Sequence, residues 1–332
     1  MFRKYNSIEN SYREEFLSRI KGHFFWDETY VVQEKAHGAN LSFWTTDGIN
    51  FHAGKRTAKL EMDERFYNFA TVLSNLQPKL QNIWTALKKK NASLSQVTIF
   101  GELIGGNYSH PEVKKNNTAI KVQKGVFYSP DNCFYAFDIL VDNNTYLDID
   151  ETNKLFEQEG LLYAKTLFRG DLEEALSFPN AFDSVISGQL NLPAITPNIC
   201  EGTIIRPVKN LNFRNGVRVI LKNKNDKWSE TIKRDRKHRE VIEVPEKVAE
   251  LQTTILDYIT ENRLNNVISK FGEPTQKDFG KVLGMFNKDI IEDFLKDHQK
   301  VYNELDKKEM KMVNKSISKV SVEMVRKACI YK

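Results

Sequence analysis

The sequence predicts an α+β chain, in which a mixed domain of strands and helices precedes a domain built of helices alone. Three observations point there. Short apolar runs such as Tyr30-Val31-Val32, Val97-Thr98-Ile99-Phe100 and Gly202-Thr203-Ile204-Ile205 are bounded by glycine or polar residues, as strands are. No run of this kind follows Lys222. Beyond Val244-Pro245 only helical spacing recurs, over residues 248–271, 277–285, 289–305 and 310–328. The resulting parse is a domain over 1–240 and a domain over 244–332, with the boundary in a basic linker around 235–245.

Taken in order, residues 7–20 read as an amphipathic helix, with Tyr12, Phe16 and Ile20 at helical spacing. A hairpin follows, with strands at Tyr30-Val31-Val32 and Leu41-Ser42-Phe43-Trp44 and a turn carrying Glu34-Lys35-Ala36-His37-Gly38-Ala39-Asn40. Gly38 lets the backbone bend sharply or approach a ligand closely. Asp47-Gly48 signals a further hairpin turn, and Gly54-Lys55-Arg56-Thr57 forms a small basic loop. Phe66, Phe69, Ala70, Leu73 and Leu76 mark a helix over 63–89, kinked or divided at Pro78. Strands over 97–103 and 133–141 each carry one carboxylate, Glu102 and Asp138, with a polar loop over 108–124 between them. Short helical pieces fill 151–190, and strands over 202–206 and 217–222 complete the mixed domain.

At 332 residues the chain has room for two cores. Hydrophobic content of 40% and charged content of 28% are those of a soluble globular protein. No apolar run is long enough to span a bilayer, and the first residues lack the apolar stretch of a secretory signal. Three cysteines without C-x-x-C spacing disfavour a disulfide framework and a structural zinc site, so a reducing cytoplasm is expected. Charge is concentrated: residues 222–239 carry eight Lys/Arg against three acids, an excess equal to the net +5 of the whole chain. That segment suits a phosphate-rich partner.

A lone charge in a buried strand is costly. Glu102, Asp138, Glu201 and Lys222 all lie in or beside apolar runs, and with Lys35 and Arg56 they point to a polar pocket in a sheet core. Lys222 and Lys224, two apart on a strand, share one face. Two cations aimed at one spot need an anion between them, and phosphate is the natural one. Neighbouring cations also favour the neutral, nucleophilic form of a lysine such as Lys35. Glu201 suits a divalent metal, typically Mg²⁺ with waters retained. Phe137, beside Asp138, offers either a ring for stacking a base or plain core packing.

In this order, Lys35-Ala36-His37-Gly38, Glu102-Leu103 within Phe100–Gly105, Phe134–Ile139, Glu201–Arg206 and Leu221–Lys224 resemble the nucleotidyl motifs of covalent nucleotidyltransferases, the ligases and mRNA capping enzymes. More narrowly, the chain resembles the phage-type RNA ligase 2 family of nick-sealing RNA ligases. The narrower likeness rests on the opening F-R-K-Y-N-S-I-E-N, the loop G-K-R-T, and the later blocks N-R-L-N-N-V-I-S-K-F-G-E and K-D-F-G-K-V-L-G. It runs to about Gly284, beyond which only helical character matches.

The resemblance implies a nucleotidyltransferase (adenylyltransferase) domain of antiparallel sheets flanked by helices. It also implies an all-helical domain that docks RNA, with Arg263 and Lys270, seven apart on one helix face, as the contacts. Lys35 would become adenylated, and Glu34 would read adenine through its backbone. His37 and Asn40 would serve the phosphate and ribose, Arg56 the ribose or the RNA end, and Glu102 the ribose hydroxyl. Phe137 would stack on adenine, Asp138 and Glu201 would act in later steps and in metal binding, and Lys222 and Lys224 would grip the α-phosphate. Ala39 and Arg206 depart from the family's frequent threonine and lysine. The implied partners are ATP as AMP donor, Mg²⁺ or Mn²⁺, and nicked duplex RNA. The protein would be a monomer acting in RNA repair or editing in the cytoplasm, that of a host if it is encoded by a virus or phage. A DNA ligase or capping enzyme shares the motifs but usually carries a β-barrel after them, which the helical pattern disfavours. A non-catalytic nucleic-acid binder would not need Lys35 and both strand lysines together.

Overall fold

A computed structural model describes residues 1–229 and 246–330. It divides into two compact units, Met1–Lys227 and Trp228–Lys332. The expected linker, and residues 230–239 of the basic segment, lie outside the described residues.

The first unit contains eleven described strands: β1 Glu9–Asn10, β2 Tyr30–Glu34, β3 Ala39–Thr45, β4 His52–Lys55, β5 Lys59–Leu60, β6 Val97–Asn107, β7 Ser129–Val141, β8 Thr145–Tyr146, β9 Thr166–Gly170, β10 Gly202–Pro207 and β11 Leu221–Lys224. Its helices are α1 Glu14–Gly22, α2 Phe69–Lys90, α3 Ile149–Gln158, α4 Leu172–Ser177 and α5 Ile186–Gln189. One sheet has the order β1-β11-β10-β2-β9, the other β5-β4-β3-β6-β7-β8. Every pairing is antiparallel except that of β1 with β11 at one edge.

Each sheet buries one face under helices. Leu41 and Phe43 of β3 share a core with Leu73, Leu80, Ile83 and Leu87 of α2 and with Leu155 and Phe156 of α3. Tyr30 and Val32 of β2 pack with Phe16 and Ile20 of α1 and Leu172 and Ala175 of α4. A third cluster bridges the sheets, combining Phe100 of β6 and Leu140 of β7 with Ile204 of β10, Ile220 and Tyr5.

The hairpin expected around Lys35 does not form. β2 lies inside the five-stranded sheet and β3 inside the six-stranded one, so residues 35–38 cross from sheet to sheet. The apolar runs on either side allow this because both strands are sandwiched by neighbours and almost wholly buried, unlike a half-solvated hairpin. The Asp47-Gly48 turn does join β3 to β4, with Gly48 at φ +75°. Pro78 does not divide α2, which runs unbroken through it. Residues 166–170, expected among helical pieces, form β9 on the edge of the first sheet.

In the second unit the described helices are α6 Glu246–Leu256, α7 Glu261–Phe271, α8 Phe279–Asn303 and α9 Lys307–Ile330. They enclose one apolar core that includes Val248, Ile255, Val267, Val282, Phe286, Ile290, Phe294, Val313 and Ile317. Arg263, expected on an RNA-docking face, is only 1% exposed. Its guanidinium meets Asp289 at 2.8 Å and Asp293 at 2.7 Å, and its Nε donates to the Tyr258 carbonyl at 2.9 Å. Lys270 turns to the same Asp289 at 3.1 Å. The two cations do share a helix side, but it faces the carboxylates of α8. Arg263 is therefore a structural ion-pair residue and is not available to RNA.

Candidate active site

The crossing at residues 35–38 brings Lys35 to the end of β10. Its backbone N–H donates to the Gly202 carbonyl at 2.9 Å, and its Nζ lies 2.7 Å from Oε2 of the adjacent Glu201. Lys224, which pairs with Gly202 across β10 and β11, puts its Nζ 2.8 Å from the other carboxylate oxygen, Oε1. His37 Nδ1 is 3.5 Å from Oε2. Burial of Glu201 opposes its charge, but Lys224, Lys35 and His37 outweigh that cost and hold the carboxyl well below its ordinary range. A buried carboxylate thus gathers two ammonium groups and an imidazole.

Glycine makes the crossing fit. A Cβ on Gly38 would collide with the Leu103 carbonyl oxygen and lie 2.9 Å from Glu102 Cγ and Ile104 Cγ2. The His37 N–H donates to the Tyr128 hydroxyl at 2.9 Å, which pins the far end of the crossing.

The neighbouring strands carry the rest. Asn40 of β3 faces Glu102 of β6 in register, and its Nδ2 donates to the Gly101 carbonyl at 3.4 Å. Burial raises the Glu102 carboxyl to about 7; Lys35 and Arg56 pull against that rise and Glu201 adds to it. Lys222 lies two residues from Lys224 on β11, opposite Ile204, on the same face of the strand. Arg56, in the β4–β5 loop, donates from Nη1 to the Tyr5 carbonyl at 2.7 Å. Glu34 is buried, its Oε2 accepting from the Val185 N–H at 2.8 Å while Oε1 has no hydrogen-bond partner among the described residues. Burial lifts its carboxyl to about 7 despite hydrogen bonds from Ser184 and Val185.

A family model described as RNA ligase matches residues 28–224, and one described as T4 RNA ligase 2 C-terminal matches residues 242–322. The mitochondrial RNA-editing ligase 2 of Trypanosoma brucei brucei is 30% identical over 350 residues, covering 90% of this chain and 84% of its own length. The chain belongs to the RNA ligase family. The mitochondrial RNA-editing ligase 1 of the same organism is 25% identical over 335 residues, covering 81% of this chain and 71% of its own. A solved Naegleria gruberi RNA ligase with PPi is 16% identical at TM-score 0.43, over 68% of this chain and 57% of that one. The C-terminal family match carries the likeness past Gly284, where the motifs end, through most of α9.

One of the expected site residues sits elsewhere in the ligase. Asp138, 0% exposed, belongs to a separate buried knot. It accepts from Arg206 Nη2 at 2.9 Å, from Arg218 Nη1 at 2.5 Å and from the Tyr5 hydroxyl at 2.7 Å. Burial alone would raise its carboxyl, yet the two guanidiniums lower it. Its hydrogen bonds do not reach Lys35 or Glu201. Arg206, the departure from the family's lysine, is thereby placed: it is a buried partner of Asp138. Phe137 is the extra residue of a bulge, because Phe100 pairs with Asp138 while Gly101 pairs with Ala136. The ring of this half-buried residue meets Tyr5 edge-on, with centroids 5.0 Å apart.

Four contributors were not singled out from the sequence. Arg218 is a lone charge in the run Val217-Arg218-Val219-Ile220, the same signal that marked Glu102. Tyr5 lay inside a block of family likeness but had no assigned role. Tyr128 and the Val185 N–H give no local signal at all. Among the described residues no set of three His, Cys, Asp or Glu groups could hold a metal ion, and no helix is long and apolar enough to cross a membrane.

Proposed function

We propose that this RNA ligase is ATP-dependent and seals 3′-hydroxyl/5′-phosphate nicks in duplex RNA through a lysyl-AMP and an RNA-adenylate. The observation that carries the reading is the capture of Lys35 and Lys224 on the two oxygens of buried Glu201. Lys35 would attack the α-phosphorus of ATP, forming an N–P bond as the bond to the β-phosphate oxygen breaks and pyrophosphate leaves. The amine first has to leave Glu201 and give one proton to solvent, and the second proton it sheds as the N–P bond forms goes to water. Lys224 and Lys222 would hold the α-phosphate from their shared strand face, neutralising charge as it develops. The RNA 5′-phosphate then takes the AMP from Lys35. Attack by the 3′-hydroxyl on that activated phosphate forms the phosphodiester and releases AMP.

Glu34, Asn40, Arg56, Glu102 and Phe137 would position adenine and ribose. Glu201 and Glu102 are hard oxygen donors, with no third protein ligand beside them among the described residues. The two carboxylates would hold a Mg²⁺ or Mn²⁺, hard ions that prefer oxygen donors. When bound, such an ion supplies charge neutralisation at the phosphates. Asp138 supports the fold around the centre and would not touch the nucleotide. Cys133 and Cys200, both free thiols, suit a reducing compartment such as the cytoplasm. The named relatives are mitochondrial.

The test is incubation with radiolabelled ATP or GTP and Mg²⁺, followed by nicked RNA and nicked DNA duplexes. Covalent label from ATP alone, transferred to nicked RNA and then sealed, is the expected result. Label from GTP, or preference for nicked DNA, would move the protein to the capping or DNA-ligase branch.

A further inference from the structure

Residues 1–8 belong to no strand or helix, so no sheet ladder sets the direction of their carbonyls. Two of those carbonyls nevertheless meet a site residue. Arg56 Nη1 donates to the Tyr5 carbonyl at 2.7 Å, and the Asn6 carbonyl lies 3.5 Å from the same nitrogen. Among the described residues these are the hydrogen-bond partners of Arg56, and the charge of Glu102 also acts on it. A guanidinium gripped at one nitrogen has its plane fixed and keeps the donors of Nε and Nη2 for a ligand.

Side chains do the aiming that a ladder would otherwise do. The Tyr5 ring is buried, and its hydroxyl donates to Asp138 at 2.7 Å. The next residue, half-buried Asn6, accepts at Oδ1 from the Tyr146 hydroxyl at 2.7 Å. Tyr146 belongs to β8, and the Arg218 guanidinium stacks over its ring with the central carbon 3.8 Å from the centroid. Arg218 in turn pairs with the same Asp138. Burial pushes the Tyr146 phenol up, so its hydroxyl stays a donor. Two anchors thus start from one buried knot and end on adjacent residues, whose carbonyls converge on one nitrogen of Arg56.

We propose that Asn6 and Tyr146 are positioning residues for Arg56, holding its guanidinium at the angle from which it meets the ribose of ATP. The inference rests on the ligase reading above. Neither residue touches the nucleotide. Without the Tyr146 hydroxyl the Asn6 carboxamide loses its anchor, the Tyr5–Asn6 peptide can turn, and Arg56 loses its fixed plane.

The test follows single-turnover adduct formation by the full chain against ATP concentration, for Tyr146→Phe and for Asn6→Ala. Phenylalanine keeps the ring under Arg218, and circular dichroism checks that each variant is folded. The half-saturating ATP concentration should rise about three- to tenfold in each, the weight of one neutral hydrogen bond. The maximal rate should stay within about twofold. The two substitutions together should match either alone, because both cut one link. Arg56→Ala should raise the half-saturating concentration at least as far, and adding Asn6→Ala to it should change nothing more. If Tyr146→Phe unfolds, Asn6→Ala decides alone. A merely structural role gives a different pattern, a lower melting temperature and effects that multiply in the Arg56→Ala background. That pattern, or unchanged ATP dependence in the folded single variants, would overturn the proposal and leave the ligase reading intact. A wild type that takes no label from ATP would overturn both.

Discussion

Lys35 and Glu201 meet in a 2.7 Å ion pair that ties the crossing between the two sheets to the start of β10. The residue after Glu201 repeats the tie through the backbone, because the Gly202 carbonyl accepts the Lys35 N–H. Two sequence neighbours therefore hold the main chain and the side chain of the same lysine. Lys35→Ala should abolish the covalent protein–AMP adduct, measured with labelled ATP. It should still seal a nick that is already adenylated, since that step needs no nucleophilic lysine. Normal adduct in Lys35→Ala would place the nucleophile elsewhere.

Lys224→Ala removes one of the two ammonium groups on a carboxylate that is 1% exposed. Losing such a charged hydrogen-bond partner costs about 1.5–3 kcal/mol of stability. Adenylation should fall further than that loss explains, by roughly a hundredfold at saturating ATP. Lys222→Ala should depress adenylation in the same direction. Single-turnover adduct formation at a temperature where circular dichroism shows a folded variant is the measurement. An undiminished rate would end the phosphate-clamp assignment.

Asp138→Ala leaves Arg206 and Arg218 buried without their shared carboxylate. Breaking a buried pair in this way costs about 3–5 kcal/mol. Urea unfolding should show that loss, and ligase activity should track the folded fraction. A variant as stable as wild type but unable to ligate would return Asp138 to the chemistry.

Glu34 gives a pH signature with a definite sign. Burial raises its carboxyl from 4.5 to about 7, so the folded chain binds this proton more tightly than the unfolded chain. Its stabilising effect is complete below about pH 4.5 and fades as pH rises through 7. The expected loss across that window is about 3 kcal/mol. Glu34→Gln should flatten the urea-unfolding free energy between pH 5 and 8 relative to wild type. Parallel curves for the two proteins would show that Glu34 titrates normally.

Gly38→Ala should be destabilising for steric reasons alone, because the added methyl meets the Leu103 carbonyl and no flexible side-chain end can yield there. A cost of about 1–3 kcal/mol is expected, as for overpacked cores. Adenylation should also fall, because the displaced crossing carries Lys35. A normal melting temperature together with normal adenylation would contradict the close approach.

Much of the active site was legible because charges stand out against apolar strands. Glu102 and Glu201 each interrupt a buried run, and in the structure Glu201 pairs with Lys35 and Lys224 while the Lys35 charge acts on Glu102. What failed was the choice of partner. Tyr30–Glu34 and Ala39–Thr45 are adjacent in sequence, so a hairpin was the local reading, but sheet membership is decided by β10 and β6 far along the chain. The spacing of Arg263 and Lys270 correctly gave a shared side, yet spacing cannot distinguish an outward side from one facing Asp289 and Asp293. Asp138 illustrates the same limit. A buried carboxylate needs a counterion, and only the fold reveals that Arg206 and Arg218 supply it. β9 was missed because Thr166–Gly170 is a short, half-exposed edge strand without an apolar run.

The four residues from Lys35 to Gly38 cannot change in number. One residue added after Lys35 would lengthen the path between the sheets by about 3.3 Å. If β3 absorbed the excess by sliding one place against β6, Leu41 and Phe43 would turn away from α2, and Asn40 would leave its place opposite Glu102. If the crossing absorbed it, the slack would bulge against the Leu103 carbonyl or loosen Lys35 from Gly202. Loops elsewhere on the surface can tolerate insertions, but here the distance between two sheets sets the length of the segment. The same distance therefore meters the reach of the Lys35 amine.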